Sequence, residues 1–317
     1  MQESQVRIVA IIGAGLIGRA WANVFARAGW QVRLWDPEPE VVRKAPALVA
    51  ESLAELARHG LVKDPSGAAA AVSGCGTLEG AVDGADFVQE NGPELLAVKI
   101  ETFERLDRIA APDCILASST SAIVASRFTE ALPGRARCIV GHPVNPPHLV
   151  PIVELCGAPW TSDTTRQRAR EVYESIGQVP VDVLREIDGF ILNRLQGALL
   201  AEAFRLVGEG YCTPQDLDKT LSEGLGRRWS FLGPFETIEL NAPGGIPDYC
   251  SRYTGFYRHL QTEPAPPGVW DKQNWSKVVA AWGGTPSPEA IVRKTLWRNE
   301  RLAALAAHLA EQRSWKA

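Results

Sequence analysis

Residues 6–18 read VRIVAIIGAGLIG, an apolar run that stops at three glycines spaced Gly13-x-Gly15-x-x-Gly18. Apolar residues without alternation predict a strand buried on both faces, and the glycines predict a tight turn into a helix over about Leu16 to Ala28. Each glycine has a separate job in such a turn: Gly13 permits the bend, Gly15 leaves bare backbone for a pyrophosphate, and Gly18 lets the helix lie against the strand. The helix N-terminus then offers unpaired N–H groups and a positive dipole end to phosphates.

The triplet alone is weak evidence, because turns use glycine everywhere. The context is more telling: the next strand, Gln31 to Trp35, ends at Asp36, eighteen residues beyond Gly18. An acid at that place binds the hydroxyls of an adenosine ribose. The alternative is that Asp36 caps the following helix, with Pro37 at its first helical position. A carboxylate there repels a 2′-phosphate, and Trp35 and Pro37 bring no cation to offset it, so the expected cofactor is NAD rather than NADP.

At 317 residues the chain is long enough for two domains and a sizeable core. Its net charge of −4 gives no basic field for nucleic acid or an anionic membrane. The six cysteines, at 75, 114, 138, 156, 212 and 250, show no CxxC and no metal-ligand spacing. Unpaired thiols in a reducing cytoplasm are expected, with no bound metal. Residues 8–18 have neither a basic leader nor a cleavage-like segment, and no apolar stretch reaches membrane-spanning length, so a cytoplasmic protein is expected.

Further strands are predicted at 85–90, 114–118, 137–141, 150–155 and 179–183, and helices at 38–59 and 94–109, with a loop at 60–76. Strands alternating with helices predict an α/β, Rossmann-type doubly wound and mostly parallel sheet. From Asp188 the pattern is helical only, with Asp188 read as the cap of a helix to about Glu209 and Ser287–Pro288 opening a last helix, 289–311. The expected domains are a nucleotide-binding one over residues 1–187 and a helical one for substrate and dimerisation over 188–317.

Catalytic groups belong on loops at strand ends. Ser118 to Ser121 follow a strand directly, where a hydroxyl can hold a substrate oxygen or cap a helix. In Gly141–His–Pro–Val–Asn–Pro–Pro147 three prolines stiffen the turn around His142, and an imidazole suits proton exchange near neutral pH. Glu154 stands alone in the apolar strand VPIVEL and needs a partner if buried. His142 is the economical one; an edge strand with Glu154 in water is the alternative. On the helix from Asp188, Asn193 is predicted to face inward with Leu200 and Phe204, but so is Gln196, and spacing does not choose between them.

These residues stand in the blocks GAGLIGRAWA, QENGPE, SSTSA, GHPVNPPHLVPIVEL, GFILNRLQGAL and SEGLGRRWSFLGPFETIELN. Together they resemble the 3-hydroxyacyl-CoA dehydrogenase superfamily over nearly the whole chain. The resemblance implies an NAD-dependent oxidoreductase in which Ser121, His142, Glu154 and Asn193 are catalytic. It implies His142 as base, Glu154 as its orienting partner, and Ser121 and Asn193 as donors to the reacting oxygen. It also implies NAD contacts from Leu16, Ile17, Asp36, Glu94 and Lys99, a substrate contact from Arg228 (or Arg227 beside it), closure of the helical domain over the crevice, and a homodimer.

The last two blocks are similar to the branch that oxidises a free acid, L-gulonate, at C3. Residues 45–62 carry Arg58 as their only Lys or Arg, whereas the enzymes acting on CoA thioesters are similar to one another in a lysine-rich segment there. 3-Hydroxybutyryl-CoA and L-carnitine are the alternative substrates. A non-catalytic, structural or NAD-binding role is the alternative of another class.

Overall fold

The computed structural model describes residues 7–312. Eight strands form one sheet: β1 (Ile8–Ile12), β2 (Gln31–Trp35), β3 (Val72–Gly74), β4 (Phe87–Glu90), β5 (Ile115–Ser118), β6 (Cys138–Pro143), β7 (Ile152–Cys156) and β8 (Val179–Asp182), in the order β3-β2-β1-β4-β5-β6-β7-β8. All neighbours run parallel except β6 and β7, which pair antiparallel. The strand order reverses direction at β1 and β4. The crevice beyond their carboxyl ends is where a doubly wound sheet binds nucleotides.

The buried run in β1 divides its side chains between two faces, as a strand must. Val9 and Ile11 enter one core cluster with Trp21, Phe25, Leu34 and Phe87. Ala10 and Ile12 enter a second with Val88, Phe103 and Leu116. Helices α1 (Leu16–Arg27), α2 (Pro39–Arg58), α3 (Pro65–Ala70), α4 (Leu78–Val82), α5 (Leu96–Ile109), α6 (Ser126–Thr129) and α7 (Asp163–Ser175) connect the strands. Val72–Gly74, placed in a loop by the sequence reading, is the edge strand beside β2: three residues are too few to show a periodicity.

The helix expected to be capped by Asp188 is α8 (Leu192–Gly208), and it begins four residues later. Gly189 (φ +78°) and Phe190 (φ +49°) are in the left-handed region, which breaks the helix before it starts. After α8 come α9 (Pro214–Lys219), a π-helical turn at Thr220–Leu225, α10 (Gly226–Trp229), α11 (Pro234–Glu239), α12 (Gly245–Leu260), α13 (Lys272–Ala281) and α14 (Pro288–Glu311).

The described residues fall into two compact units, one up to Asn193 and again from Lys294, the other Arg194–Arg293. The expected division at residue 187 leaves α14 wholly in the helical domain. Instead its later turns join the first unit, because Ala303 and Leu302 pack in the core around Val9 and Ile11. Among the described residues no helix is long and apolar enough to cross a membrane.

Candidate active site

A cleft of about 470 Å³ opens where the sheet reverses, and Gly13, Gly15, Asp36, Glu90, Asn91 and Arg105 are among the residues lining it. Gly13 has φ +89°, and a Cβ there would press on the Asn91 carbonyl oxygen at 2.8 Å. At Gly18 a Cβ would overlap the Gly13 carbonyl oxygen, so helix and turn touch only because both are bare. At Gly15 a Cβ would meet nothing within 4 Å. The turn is thus closed on its inner side and open toward the cleft, with no side chain capping α1, and it fits a pyrophosphate.

Asp36 does not cap α2, whose N-cap is Glu38. Its Oδ2 accepts the Ala14 N–H (2.9 Å) and its Oδ1 the Glu38 N–H (3.0 Å), which hold the carboxylate in the cleft with lone pairs left for hydroxyl donors. Leu16 is exposed at the first turn of α1, Ile17 is half-buried against the core, and neither lines the cleft.

Lys99, expected to contact NAD, is 1% exposed, and its ammonium is turned inward. It donates to both Glu90 oxygens (2.9 and 3.0 Å) and to the Gly92 carbonyl (3.2 Å), which uses its three N–H directions. Glu90 also accepts from the Ser118 hydroxyl and the Gly92 N–H, both at 2.6 Å. The sequence reading passed over Glu90. The signal was available, since an acid ending a buried strand needs a partner just as Glu154 does. Glu94, likewise expected at NAD, follows the cleft residues Gly92 and Pro93 and binds the loop after β5. Its Oε1 accepts from the Thr120 hydroxyl and from the N–H groups of Ser121 (3.2 Å), Ala122 (3.0 Å) and Ile123 (3.3 Å).

His142 and Glu154 face each other directly across β6 and β7, 5% and 2% exposed. His142 Nδ1 lies 2.7 Å from Glu154 Oε2. The other oxygen, Oε1, accepts the N–H groups of Ile191 (2.8 Å) and Leu192 (2.9 Å), at the start of α8. Because β8 covers the far side of β7, Glu154 is not on a solvated edge strand. Burial by itself would raise its pKa. The bonds from His142 and from the backbone of Leu192 and Ile191 outweigh that and keep it below the ordinary carboxylate range.

A carboxylate accepts, so Nδ1 must carry the proton and Nε2 keeps its lone pair. Phe190, fully buried in its left-handed conformation, lays its ring 5.4 Å from the imidazole. Asn193, one residue into α8, donates through Nδ2 to the Ser121 carbonyl (2.9 Å). The Ser121 hydroxyl bonds no described residue. Gln196 and Leu200, both predicted inward, are exposed, so of the two amides the structure brings only Asn193 to the loop. On α10, Arg227 is paired with Glu223, whereas Arg228 makes no ion pair with a described residue.

A cleft at the switch point of the sheet, beside a glycine turn and an acid at the end of β2, with a buried imidazole–carboxylate pair on β6 and β7, is the arrangement of a nicotinamide-dependent dehydrogenase. Residues 8–187 match the model of the 3-hydroxyacyl-CoA dehydrogenase NAD binding domain, and residues 189–275 that of the 3-hydroxyacyl-CoA dehydrogenase C-terminal domain. The chain is 42% identical to a lambda-crystallin homolog of Rattus norvegicus over 94% of its own length and 95% of that protein. It is 37% identical to an L-carnitine dehydrogenase of Streptomyces coelicolor over 87% and 86%. A crystal structure of 5-formyl-3-hydroxy-2-methylpyridine-4-carboxylic acid 5-dehydrogenase, an NAD+-dependent dismutase, superposes with a TM-score of 0.82 at 28% identity, covering 98% of this chain and all of that one. The chain belongs to the 3-hydroxyacyl-CoA dehydrogenase family. It is an NAD-dependent oxidoreductase acting on a CH–OH group.

Proposed function

We propose that the protein oxidises the 3-hydroxyl of a small free hydroxy acid, L-gulonate to 3-dehydro-L-gulonate, with His142, Glu154, Ser121 and Asn193 as its catalytic groups. The observation that carries this is the 2.7 Å bond from His142 Nδ1 to a carboxylate fixed by two backbone N–H groups. It leaves Nε2 as a base that cannot switch tautomer without losing its partner. NAD, when bound, accepts the hydride. His142 takes the hydroxyl proton at Nε2, and Glu154 stabilises the imidazolium that results. Ser121 and Asn193 hold the oxygen as it becomes a carbonyl.

We assign the substrate carboxylate to Arg228, whose planar fork matches its two oxygens and which no acid neutralises among the described residues. Gly13, Gly15, Gly18 and Asp36 would hold the nucleotide, with Leu16 and Ile17 contributing the first turn of α1.

The want of cations along residues 45–62 favours a free acid over a CoA thioester. Similarity to proteins named for carnitine and for a pyridine carboxylic acid supports the same choice. L-Carnitine is the alternative free acid, supported by the similarity to an L-carnitine dehydrogenase.

NADH formation should be followed with L-gulonate, L-carnitine, 3-hydroxybutyrate and 3-hydroxybutyryl-CoA. L-Gulonate should have the largest kcat/KM. A larger value for the thioester would overturn the free-acid assignment, and tight NAD binding without turnover of any of them would favour a non-catalytic role. A homodimer is proposed from the apolar surface of the second unit.

A further inference from the structure

Tyr173 on α7 is fully buried, its ring centred 5.5 Å from those of Trp21 and Phe87, so its hydroxyl has one place to point. That hydroxyl lies so close to Gly141 that a Cβ there would overlap it. Burial pushes the phenol above its ordinary pKa range, so it stays a donor, and it donates to Gln89 Oε1 at 2.6 Å. Gln89 Nε2 donates to the Ser119 hydroxyl (2.7 Å), which also takes the indole N–H of Trp21 (2.9 Å) and donates to Asn91 Oδ1 (2.7 Å). Ser119 thus uses its one proton and both lone pairs.

The direction of this chain of bonds is set at its far end. Asn91 Nδ2 faces two backbone carbonyls, those of Gln89 (2.8 Å) and Ile12 (3.4 Å), so Oδ1 is the atom presented to Ser119. Ser119 must give its proton to Asn91, Gln89 must offer Ser119 its NH₂, and the Gln89 oxygen is left for Tyr173. Without the phenol nothing holds that orientation. Gln89 then has an unpartnered end either way round, and when it turns over, Ser119 donates to Gln89 and Asn91 Oδ1 loses its donor. Asn91 lines the nucleotide cleft, and its carbonyl oxygen is the atom that bars a side chain at Gly13.

We propose that Tyr173 is a positioning residue for the cofactor: through Gln89 and Ser119 it holds Asn91 in the cleft wall beside the glycine turn, from a place where it cannot touch a ligand. The proposal rests on that cleft being the NAD site, as argued above. A buried network with every member satisfied is rigid, and losing a donor at one end frees an acceptor at the other. Substitutions along such a connected path shift binding by about three- to tenfold without contact with the ligand.

The test titrates NADH by fluorescence into Tyr173→Phe, Ser119→Ala, Asn91→Ala, the double variant Tyr173→Phe with Asn91→Ala, and Asp36→Ala, each checked for folding by circular dichroism. Steady-state kinetics of Tyr173→Phe are measured beside it with the best substrate of the panel above. Tyr173→Phe and Ser119→Ala should each weaken NADH about three- to tenfold, and in Tyr173→Phe the KM for NAD should rise by more than kcat falls. In the Asn91→Ala background Tyr173→Phe should add less than about twofold, because the path ends at Asn91. Ser119→Ala in the same cycle reads the path should the phenol prove necessary for folding. NADH affinity within about twofold of wild type in Tyr173→Phe would overturn the proposal, and so would full additivity in the double variant, which would leave Tyr173 acting by packing alone. A fall in kcat with NADH affinity intact would place the effect at Gly141 and His142 and overturn it too. Unchanged NADH affinity in Asp36→Ala would instead sink the assignment of the cleft, and the proposal with it.

Discussion

Glu154 uses both of its oxygens, one on the imidazole and one on two backbone N–H groups, and an amide of the same shape has only one acceptor to give. In Glu154→Gln the oxygen goes to the paired N–H groups, and the NH₂ then faces Nδ1. The ring must accept there and carry its proton on Nε2, where it can no longer act as a base. Turnover should fall by about 10² to 10⁴, with the circular dichroism spectrum unchanged; steady-state kinetics on the folded variant check this. His148 is a second histidine with a different fate. Its Nδ1 is buried without a hydrogen bond, and burial, helped by the charges of Arg27 and Arg298, pushes its pKa down to about 4. Unfolded, the same ring titrates near 6.5, so the unfolded chain takes up the proton first as pH falls, and stability is lost between about pH 6.5 and 4. Denaturant unfolding at pH 7 and pH 4.5 should show His148→Asn losing about 2 kcal/mol less than wild type between the two.

At the scale of elements, the glycine turn and Asp36 act as one piece, since Asp36 accepts the Ala14 N–H inside the turn. Asp36→Ala should therefore weaken NAD and also raise the ratio of NADP to NAD kcat/KM at least about tenfold, helped by Arg105 in the same cleft; an unchanged ratio would remove Asp36 as the discriminator. This element was readable from residues because strand, turn, helix and acid are contiguous and each step has a local cause. The pair of His142 and Glu154 was readable for a related reason: a lone acid in an apolar strand demands a partner. The start of α8 was not readable. Asp188 is a sound cap by local chemistry, but Gly189 and Phe190 turn left-handed, and Glu154, distant in sequence, takes the first N–H groups. Glu94 and Lys99 were placed at the nucleotide by resemblance, while their own partners, Glu90 and the backbone N–H groups of 121–123, are fixed only by the fold.

At the scale of the whole molecule, the second unit exposes several large apolar side chains, Phe231, Phe235, Leu240 and Phe256 each more than half exposed, as a surface covered by a second copy would. Sedimentation at micromolar concentration should give a dimer, and a monomer at that concentration would count against the homodimer. The first unit holds both the nucleotide cleft and the imidazole–carboxylate pair, so the chemistry reduces to one claim, that His142 takes the substrate proton. The most direct measurement is turnover of His142→Ala at saturating NAD and L-gulonate, beside its affinity for NADH. A fall of at least about a hundredfold in kcat with NADH binding intact is the expected result. A rate within a few-fold of wild type would contradict it.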